Sequence, residues 1–337
     1  MINILIVATG GTICSMTGDD GYNDVAGEHT LPLLIEMFKE KADDHPEISE
    51  INFEHIQPID TLSENMTIAK WNLLIKAVAE SMEKDYDGMI ILHGTDSLHM
   101  TAPLMAKLLD GIGKPVVLVA ANRVLSDPAG NGSANMLGAV RLIAHEKKVM
   151  EKGESVAGLI GSDVSVVYQN MDGVTWVHDA GELMECGCYT DDFFSDGMMD
   201  IEDILKSTLA KRSDREKKQP LINEFIKKNA KLTDGILYIK PYVGIDYSRY
   251  NISGLKAVLH DLYHAQTANS EGEGDTSLIS LIKRCMEEGV DFYIFPCNEE
   301  NYRYVSTKRL LDAGTRPLYG GTWNQAYVEL LLDYSLS

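Results

Sequence analysis

Two threonines stand just after glycines at the ends of two apolar runs. "ILIVATGGTI" runs from Ile4 to Ile13 and breaks at Thr9-Gly10-Gly11-Thr12, and "MIILHGTDSLH" runs from Met89 to His99 and breaks at His93-Gly94-Thr95-Asp96. As plain structure, glycine supplies a positive φ that ends a strand, and Asp96 sits where a helix N-cap belongs. As chemistry, one hydroxyl from each turn and the Asp96 carboxylate can surround a small substrate that carries an ammonium group. Gly11 lets a ligand approach the backbone, and free N–H groups nearby can hold an anion. In open α/β sheets, ligands bind beyond the carboxyl ends of the strands, which is where both turns fall. The spelling excludes two phosphate sites: the G-x-G-x-x-G spacing is absent, and no Gly-Lys-Ser/Thr follows.

Other chemistry-bearing residues point less sharply. His93 and His99 flank the second turn, but a serine hydrolase needs a G-x-S-x-G elbow that the chain lacks. His93 reads as a packed turn residue. "HEKKV" from His145 lacks the second histidine of a zincin. The five cysteines, at 14, 186, 188, 285 and 297, are an odd count that argues against a disulfide framework and suits a reducing cytoplasm. Cys186-Gly187-Cys188 has no second pair beside it, so no metal is expected. "CNEENYRY", from Cys297, reads as an exposed polar loop in preference to the lining of a dimer-shared site.

The elements that must carry these turns alternate. "NILIVA", "FEHIQPI", "YDGMIILHGTD" and "KPVVLVAA" read as strands. "TLPLLIEMFKEK", "MTIAKWNLLIKAVAESMEK", "SLHMTAPLMAKLLDG" and "ANMLGAVRLIAHEKK" read as helices, the second capped by Thr67. Strands apolar on both faces, separated by helices, predict an α/β fold: a parallel sheet with helices on both sides. "VAGLIG", "VSVVYQ" and "GVTWVH" are expected as short strands at its edge. A charged stretch with little strand signal places a linker at 207–232, after an N-terminal domain at 1–206. A smaller C-terminal α/β domain at 233–337 follows, with strands "GILYIKPY" and "VDFYIFPC" and three helices. The 337 residues carry a formal net charge of −21, which argues against nucleic acid or an anionic membrane as partner. The one dense basic run, "AKRSDREKKQ", falls in the linker. No stretch reads as a signal peptide or a membrane span.

The two turns resemble the signature motifs of bacterial L-asparaginases, the threonine-nucleophile amidohydrolases. "ATGGTI" and "HGTDS" match in order and in separation, with Ser97 where the family usually has threonine. "LSENMT" resembles the family's substrate-binding turn. "ANRVLSDPAGNGSANMLGAV", "YHAQTAN" and "GTWNQAYVELL" resemble further segments. The likeness spans most of the chain, is strong at the two motifs, weaker elsewhere and poor in the linker. It implies Thr12 as the nucleophile that forms an acyl-enzyme. Tyr22 is implied as the loop tyrosine that helps activate it, and Thr95 as the second threonine. Asp96 would hold the substrate's α-ammonium, and Ser63 and Glu64 its α-carboxylate and α-ammonium. Backbone N–H groups near Thr12 and Thr95 would stabilise the oxyanion. Asn269 matches an asparagine that reaches a neighbouring subunit's site, so a homodimer or homotetramer is implied. No cofactor is.

One departure stands out. The family places a lysine beside the second threonine, and counting back from Asp192-Phe193-Phe194 puts Glu185 there, with Glu182 at a usual arginine. No Lys or Arg occurs between Gly153 and Leu205. A carboxylate at that place raises the cost of a developing alkoxide rather than lowering it. Three outcomes follow: Thr12 works with Tyr22 and a carboxylate alone, a cation such as Arg123 arrives from another loop, or the protein binds without fast amide hydrolysis. The leading expectation is hydrolysis of L-asparagine to L-aspartate and ammonia. The alternatives are a binding protein for an acidic amino acid and an amidase for glutamine or a D-amide.

Overall fold

The computed structural model describes residues 1–48, 50–187, 189–207, 219–272, 274–298 and 304–337. The chain divides into two compact units, Met1–Ala230 and Lys231–Ser337. Residues 208–218, with the basic run expected as linker, lie outside the described residues. Within the same expected linker, α7 (Ile222–Lys228) is helical and belongs to the first unit.

The first unit is built on a seven-stranded sheet. Its strands are β1 (Ile2–Ala8), β4 (Ile51–Ile56), β5 (Gly88–Leu92), β6 (Val116–Val119), β7 (Val164–Gln169), β8 (Thr175–Asp179) and β9 (Met199–Asp200), in the order β4-β1-β5-β6-β7-β8-β9. The first five are parallel, and β8 and β9 add antiparallel at one edge. The small hairpin β2 (Ser15–Thr17) and β3 (Asn23–Val25) stands apart from it.

Why these runs form a central parallel sheet follows from their two apolar faces. Ile4, Ile6, Ala8, Ile90, Leu92, Val117 and Val119 form one face and pack with α1 (Gly27–Ala42) and α4 (Gly132–Met150). The alternating residues Leu5, Val7, Met89, Ile91 and Leu118 are equally buried on the other. There α3 (Leu98–Leu109) packs on β7, and Trp71 Nε1 in α2 (Ile68–Ser81) donates to Thr101 in α3 at 2.9 Å. Each such fully buried side chain contributes about 1.5–3 kcal/mol, so the sheet centre is the rigid part of the unit. Thr67 caps α2 as expected, its side chain accepting from Lys70 N.

One expected strand is overturned. "VAGLIG" is a short helix, α5 (Ala157–Ile160), closed by Gly161 at φ 97°. Its apolar run is too short to show a period, and the left-handed glycine ends a helical turn rather than a strand.

The second unit is a four-stranded parallel sheet in the order β10 (Ile236–Ile239), β11 (Ala257–Asp261), β12 (Asp291–Cys297), β13 (Arg316–Tyr319). Helices α8 (Leu278–Glu288) and α9 (Val305–Asp312) share one core with Val258 and Ile294. Helix α10 (Trp323–Leu336) covers Leu259 and Phe295 on the other face. The sequence reading missed β11 and β13, which are only five and four residues long.

Candidate active site

Sheet register brings the two threonine turns side by side. Ala8 lies opposite Leu92, and Leu92 opposite Val119, so β1, β5 and β6 end together. Thr9 N and Thr9 Oγ1 both bond Leu92 O, at 3.0 and 2.8 Å, and His93 N bonds Val119 O at 2.9 Å. The loops that leave these strands share one edge of the sheet.

The glycines then let the loops touch backbone to backbone. Gly10, at φ 101°, bridges to Thr61 in the loop after β4, and a Cβ there would lie 2.2 Å from Thr61 O. Gly11, at φ 76°, lies on Gly94: a Cβ would come within 2.3 Å of Gly94 Cα and N. A Cβ on Gly94 would in turn meet Ser63 Oγ at 2.5 Å. No side chain fits at any of the three, so Gly-Gly in one motif and Gly in the other are a single packing requirement.

Four threonines meet here, and they divide by hydrogen bonding. Thr9 Oγ1 is held by Leu92 O, and Thr61 Oγ1 accepts from Lys70 Nζ at 2.7 Å. Thr12 and Thr95 are half-buried, and among the described residues neither hydroxyl has a hydrogen-bond partner. Their backbone N–H groups are likewise without a protein acceptor, whereas Gly11 N–H is engaged by Thr61 O at 2.8 Å. Thr12 opens one turn of 3-10 helix, Thr12–Cys14, braced by Ser15 Oγ donating to Gly11 O at 2.8 Å.

Ser63 ties the loop after β4 to the second motif. It is buried, its Oγ lies 3.2 Å from both Asp96 Oδ2 and Asp96 N, and its carbonyl accepts from Ser97 Oγ at 2.7 Å. Asp96 is exposed and caps no helix, the N-cap position of α3 being Ser97. Glu64 is exposed beside Ser63. Lys70, which the sequence reading missed, reaches from the first turn of α2 to Thr61 Oγ1 and Asn65 O, bracing this loop with a cation. A lysine three residues past an N-cap threonine carries no signal that it will turn back onto the preceding loop.

The histidines beside the motif are electrostatically distinct. His93 is fully buried, and burial pulls its pKa down to about 4. Its Nδ1 lies 2.8 Å from Gly94 O, and since a carbonyl only accepts, Nδ1 carries the proton. Nε2 is then a bare, buried lone pair with no partner among the described residues. It is a packed residue of the turn. His99 lies 4.0 Å from Glu185 Oε2. Burial lowers its pKa, and the carboxylates of Glu185 and Asp96 oppose that shift. Glu185 thus stands beside the second motif through His99. Glu182 lies three residues earlier in a 3-10 turn.

The segment that bears Glu185 is anchored by Asn170, which bonds both N and O of Phe193, and by Asp192, which accepts from Met171 N. The thiol of Cys14, beneath the Thr12 turn, is pushed up to about 12, first by burial and then by Asp60, so it is no nucleophile. Among the described residues no three His, Cys, Asp or Glu side chains form a metal site, and Cys188 lies outside them.

A cavity of about 500 Å³ opens at Thr12, walled by Thr17 and Asn23 of the hairpin and by Asn122, Arg123 and Asp127 of the loop after β6. Tyr22, at the hairpin tip, is 77% exposed and, among the described residues, is tied down through its backbone. Asn269 belongs to the second unit, where its side chain accepts from Glu271 N and donates to Thr276 O, closing the turn before α8. Thr12, Gly11, Ser63, Glu64, Thr95 and Asp96 therefore lie on one loop cluster of the first unit, with Tyr22 on the adjoining hairpin. No helix among the described residues is long and apolar enough to cross a membrane.

Residues 3–158 match the family model described as the N-terminal domain of asparaginase. L-asparaginase 1 of Escherichia coli (strain K12) is 30% identical over 145 residues, 42% of this chain and 40% of that protein. The alignment thus spans about two fifths of that relative. A glutamyl-tRNA(Gln) amidotransferase subunit from Methanococcus maripaludis (strain C5) is 27% identical over 314 residues, 92% of this chain and 66% of that one. The crystal structure of L-asparaginase I from Vibrio cholerae superposes with a TM-score of 0.70 at 22% identity, covering 99% of this chain and 93% of that one, which establishes the shared fold.

Proposed function

We propose that this chain, whose residues 3–158 match the asparaginase N-terminal family model, is an asparaginase-family amidohydrolase that hydrolyses the side-chain amide of L-asparagine, giving L-aspartate and ammonia. The observation that carries the reading is the pair of half-buried hydroxyls, Thr12 and Thr95, left unengaged on either side of the Gly11–Gly94 contact while their neighbours Thr9 and Thr61 are bonded. A hydroxyl held at the sheet edge without a partner is available to attack.

In this mechanism Thr12 Oγ attacks the amide carbon and the free N–H groups of Thr12 and Thr95 receive the developing oxyanion. The amide nitrogen leaves as ammonia, and water then hydrolyses the acyl-threonine. Asp96 and Glu64 hold the substrate's ammonium, and the Ser63 hydroxyl orients Asp96 and the carboxylate. Tyr22 activates Thr12 when the hairpin folds over the cavity. Every role is filled by protein groups, so the proposal includes no cofactor. It also includes a homodimer or homotetramer in which Asn269 meets a neighbour's site, and a cytoplasmic location suited to free thiols. The charge of −21 leaves nucleic acid out as a direct ligand.

A second reading has one observation in its favour. The relative whose alignment covers 92% of this chain is part of an amidotransferase, so release of nitrogen from another amide, glutamine first, is the alternative.

Ammonia release from asparagine, glutamine and D-asparagine by the pure protein, with Thr12→Ala and Thr95→Val alongside, separates these readings. Turnover of asparagine that is lost in Thr12→Ala supports the first. Turnover that survives Thr12→Ala overturns it. Aspartate binding by calorimetry with no ammonia from any amide would mark a binding protein.

A further inference from the structure

The space beside Thr12 is far larger than a departing ammonia needs. Ammonia is about the size of water, whose share of liquid volume is about 30 Å³, and the cavity is about 500 Å³. Its walls are the hairpin and the loop after β6, while Ser63, Thr95 and Asp96 are not among them. With Ser63 and Asp96 holding the amino-acid end of a substrate, this cavity, which Thr12 lines and they do not, is left for the nitrogen side of the amide.

That side offers a positive charge. Arg123 is the sole cation among the residues that wall the cavity. Its Nη1 donates to Asp127 Oδ2 at 3.0 Å, and the other Asp127 oxygen accepts from Ala129 N at 2.9 Å, which orients the carboxylate. Among the described residues Nε and Nη2 meet no acceptor. The loop is braced from behind: Asn122 N donates to Asn131 Oδ1 at 3.0 Å, Asn131 N to Asn122 Oδ1 at 3.1 Å, and Asn122 Nδ2 to Asp191 Oδ2 at 3.2 Å. An exposed i,i+4 ion pair is weak, and a guanidinium with two free donors binds a carboxylate through a bidentate fork.

Resting on the amidohydrolase reading above, we propose that the site accepts β-aspartyl peptides, in which the amide nitrogen bears an amino acid, and that Arg123 binds the terminal carboxylate of that leaving amino acid. Thr12 Oγ bonds to the β-carbonyl carbon as its proton passes to the leaving nitrogen. The C–N bond breaks, and the free amino acid departs. Water then adds hydroxyl to the acyl carbon and returns a proton to the threonine oxygen, releasing aspartate. Asn23 and Asn122 line the remaining wall and suit the polar backbone of such a group. Ammonia has no carboxylate for Arg123 to bind, so the residue separates the two substrate classes.

The test compares β-aspartyl-glycine with its uncharged counterpart, β-aspartyl-glycinamide. Thr12→Ala protein, titrated calorimetrically, is expected to bind the acid at least tenfold more tightly than the amide. Arg123→Gln in the same background removes that preference, and Arg123→Lys, which keeps the charge but not the fork, retains part of it. Wild-type protein is expected to release glycine from the acid with the higher kcat/KM. Equal affinity for the two peptides, failure to bind either, or a preference that persists in Arg123→Gln overturns the proposal. Ammonia release from asparagine is read in parallel. Asparagine turnover without discrimination between the peptides sinks this inference and leaves the amidase reading standing. An Arg123-dependent preference without asparagine turnover sustains this inference and removes asparagine as substrate.

Discussion

The two threonine loops end neighbouring strands with similar spelling, yet they are held in opposite ways. The Thr12 loop turns on two left-handed glycines into a single 3-10 turn and then an exposed hairpin, and it faces the cavity. The Thr95 loop is clamped: His93 is buried beneath it, Ser63 bonds it from the side, and the segment with Glu185 stands against His99. In the mechanism proposed above, the first loop presents the group that reacts and the second positions the substrate. A hydroxyl and a glycine therefore serve different ends depending on what packs behind them.

The sharpest way to break that contrast is chemical. Replacing a catalytic nucleophile lowers turnover by about 10⁴–10⁶, so Thr12→Ala should abolish ammonia release. Thr95→Val should reduce it less if, as proposed, the second loop positions rather than attacks. Equal losses in steady-state assays would erase the distinction.

Next comes Gly11→Ala. Its Cβ would sit 2.3 Å from Gly94 backbone in a left-handed conformation. Strain and overpacking together should cost on the order of 3 kcal/mol or more. A thermal melt unchanged from wild type would show that the two loops do not press on one another.

Acid should loosen the clamped side. His93 titrates near 4 when folded against 6.5 unfolded, so between those values the unfolded chain holds a proton that the folded chain refuses. Stability is full above pH 6.5 and falls as pH drops toward 4, by about 3 kcal/mol for this residue. His178 and His260, also buried and pulled down to about 4, act in the same direction. Denaturant unfolding at pH 7 and 4.5 measures the fall, and His93→Gln should remove its share.

A smaller effect is expected of Ser63→Ala, which leaves Asp96 without its side-chain partner. A lost hydrogen bond to a charged group is worth about 1.5–3 kcal/mol, read here as a KM increase of roughly ten- to a hundredfold with kcat less changed. The smallest is expected of Glu185→Gln. Removing that carboxylate should lower the His99 pKa further, seen by NMR titration, because Glu185 now opposes the effect of burial. No movement would detach Glu185 from the second motif.

The legible part of this protein was the part that repeats. Runs such as Met89–Leu92 and Val116–Val119 are apolar at every position, as a strand buried on both faces requires, and glycine-threonine turns mark the carboxyl ends of β1 and β5. Thr67 announced a helix start through an oxygen one turn from a free N–H. Short strands without an unbroken apolar run were harder: β11 ends in His260-Asp261 and β13 begins Arg316-Pro317, whereas α5, a four-residue apolar run, looked like a strand. Glu185 was found by counting from Asp192, yet its partner His99 is 86 residues away and no local pattern connects them.

By itself the sequence determined the α/β alternation, the threonine turns at strand ends and the absence of Lys or Arg from 153 to 205, because these depend on residue type and on spacing along one element. Tertiary structure alone decided that Gly11 meets Gly94, that Lys70 folds back on Thr61, that Ser63 reaches Asp96 and that Arg123 shares a cavity with Thr12. Those contacts join residues from different strands, and strand order and register, which bring them within a few ångströms, are set by how whole faces pack and not by any residue's neighbours in the chain.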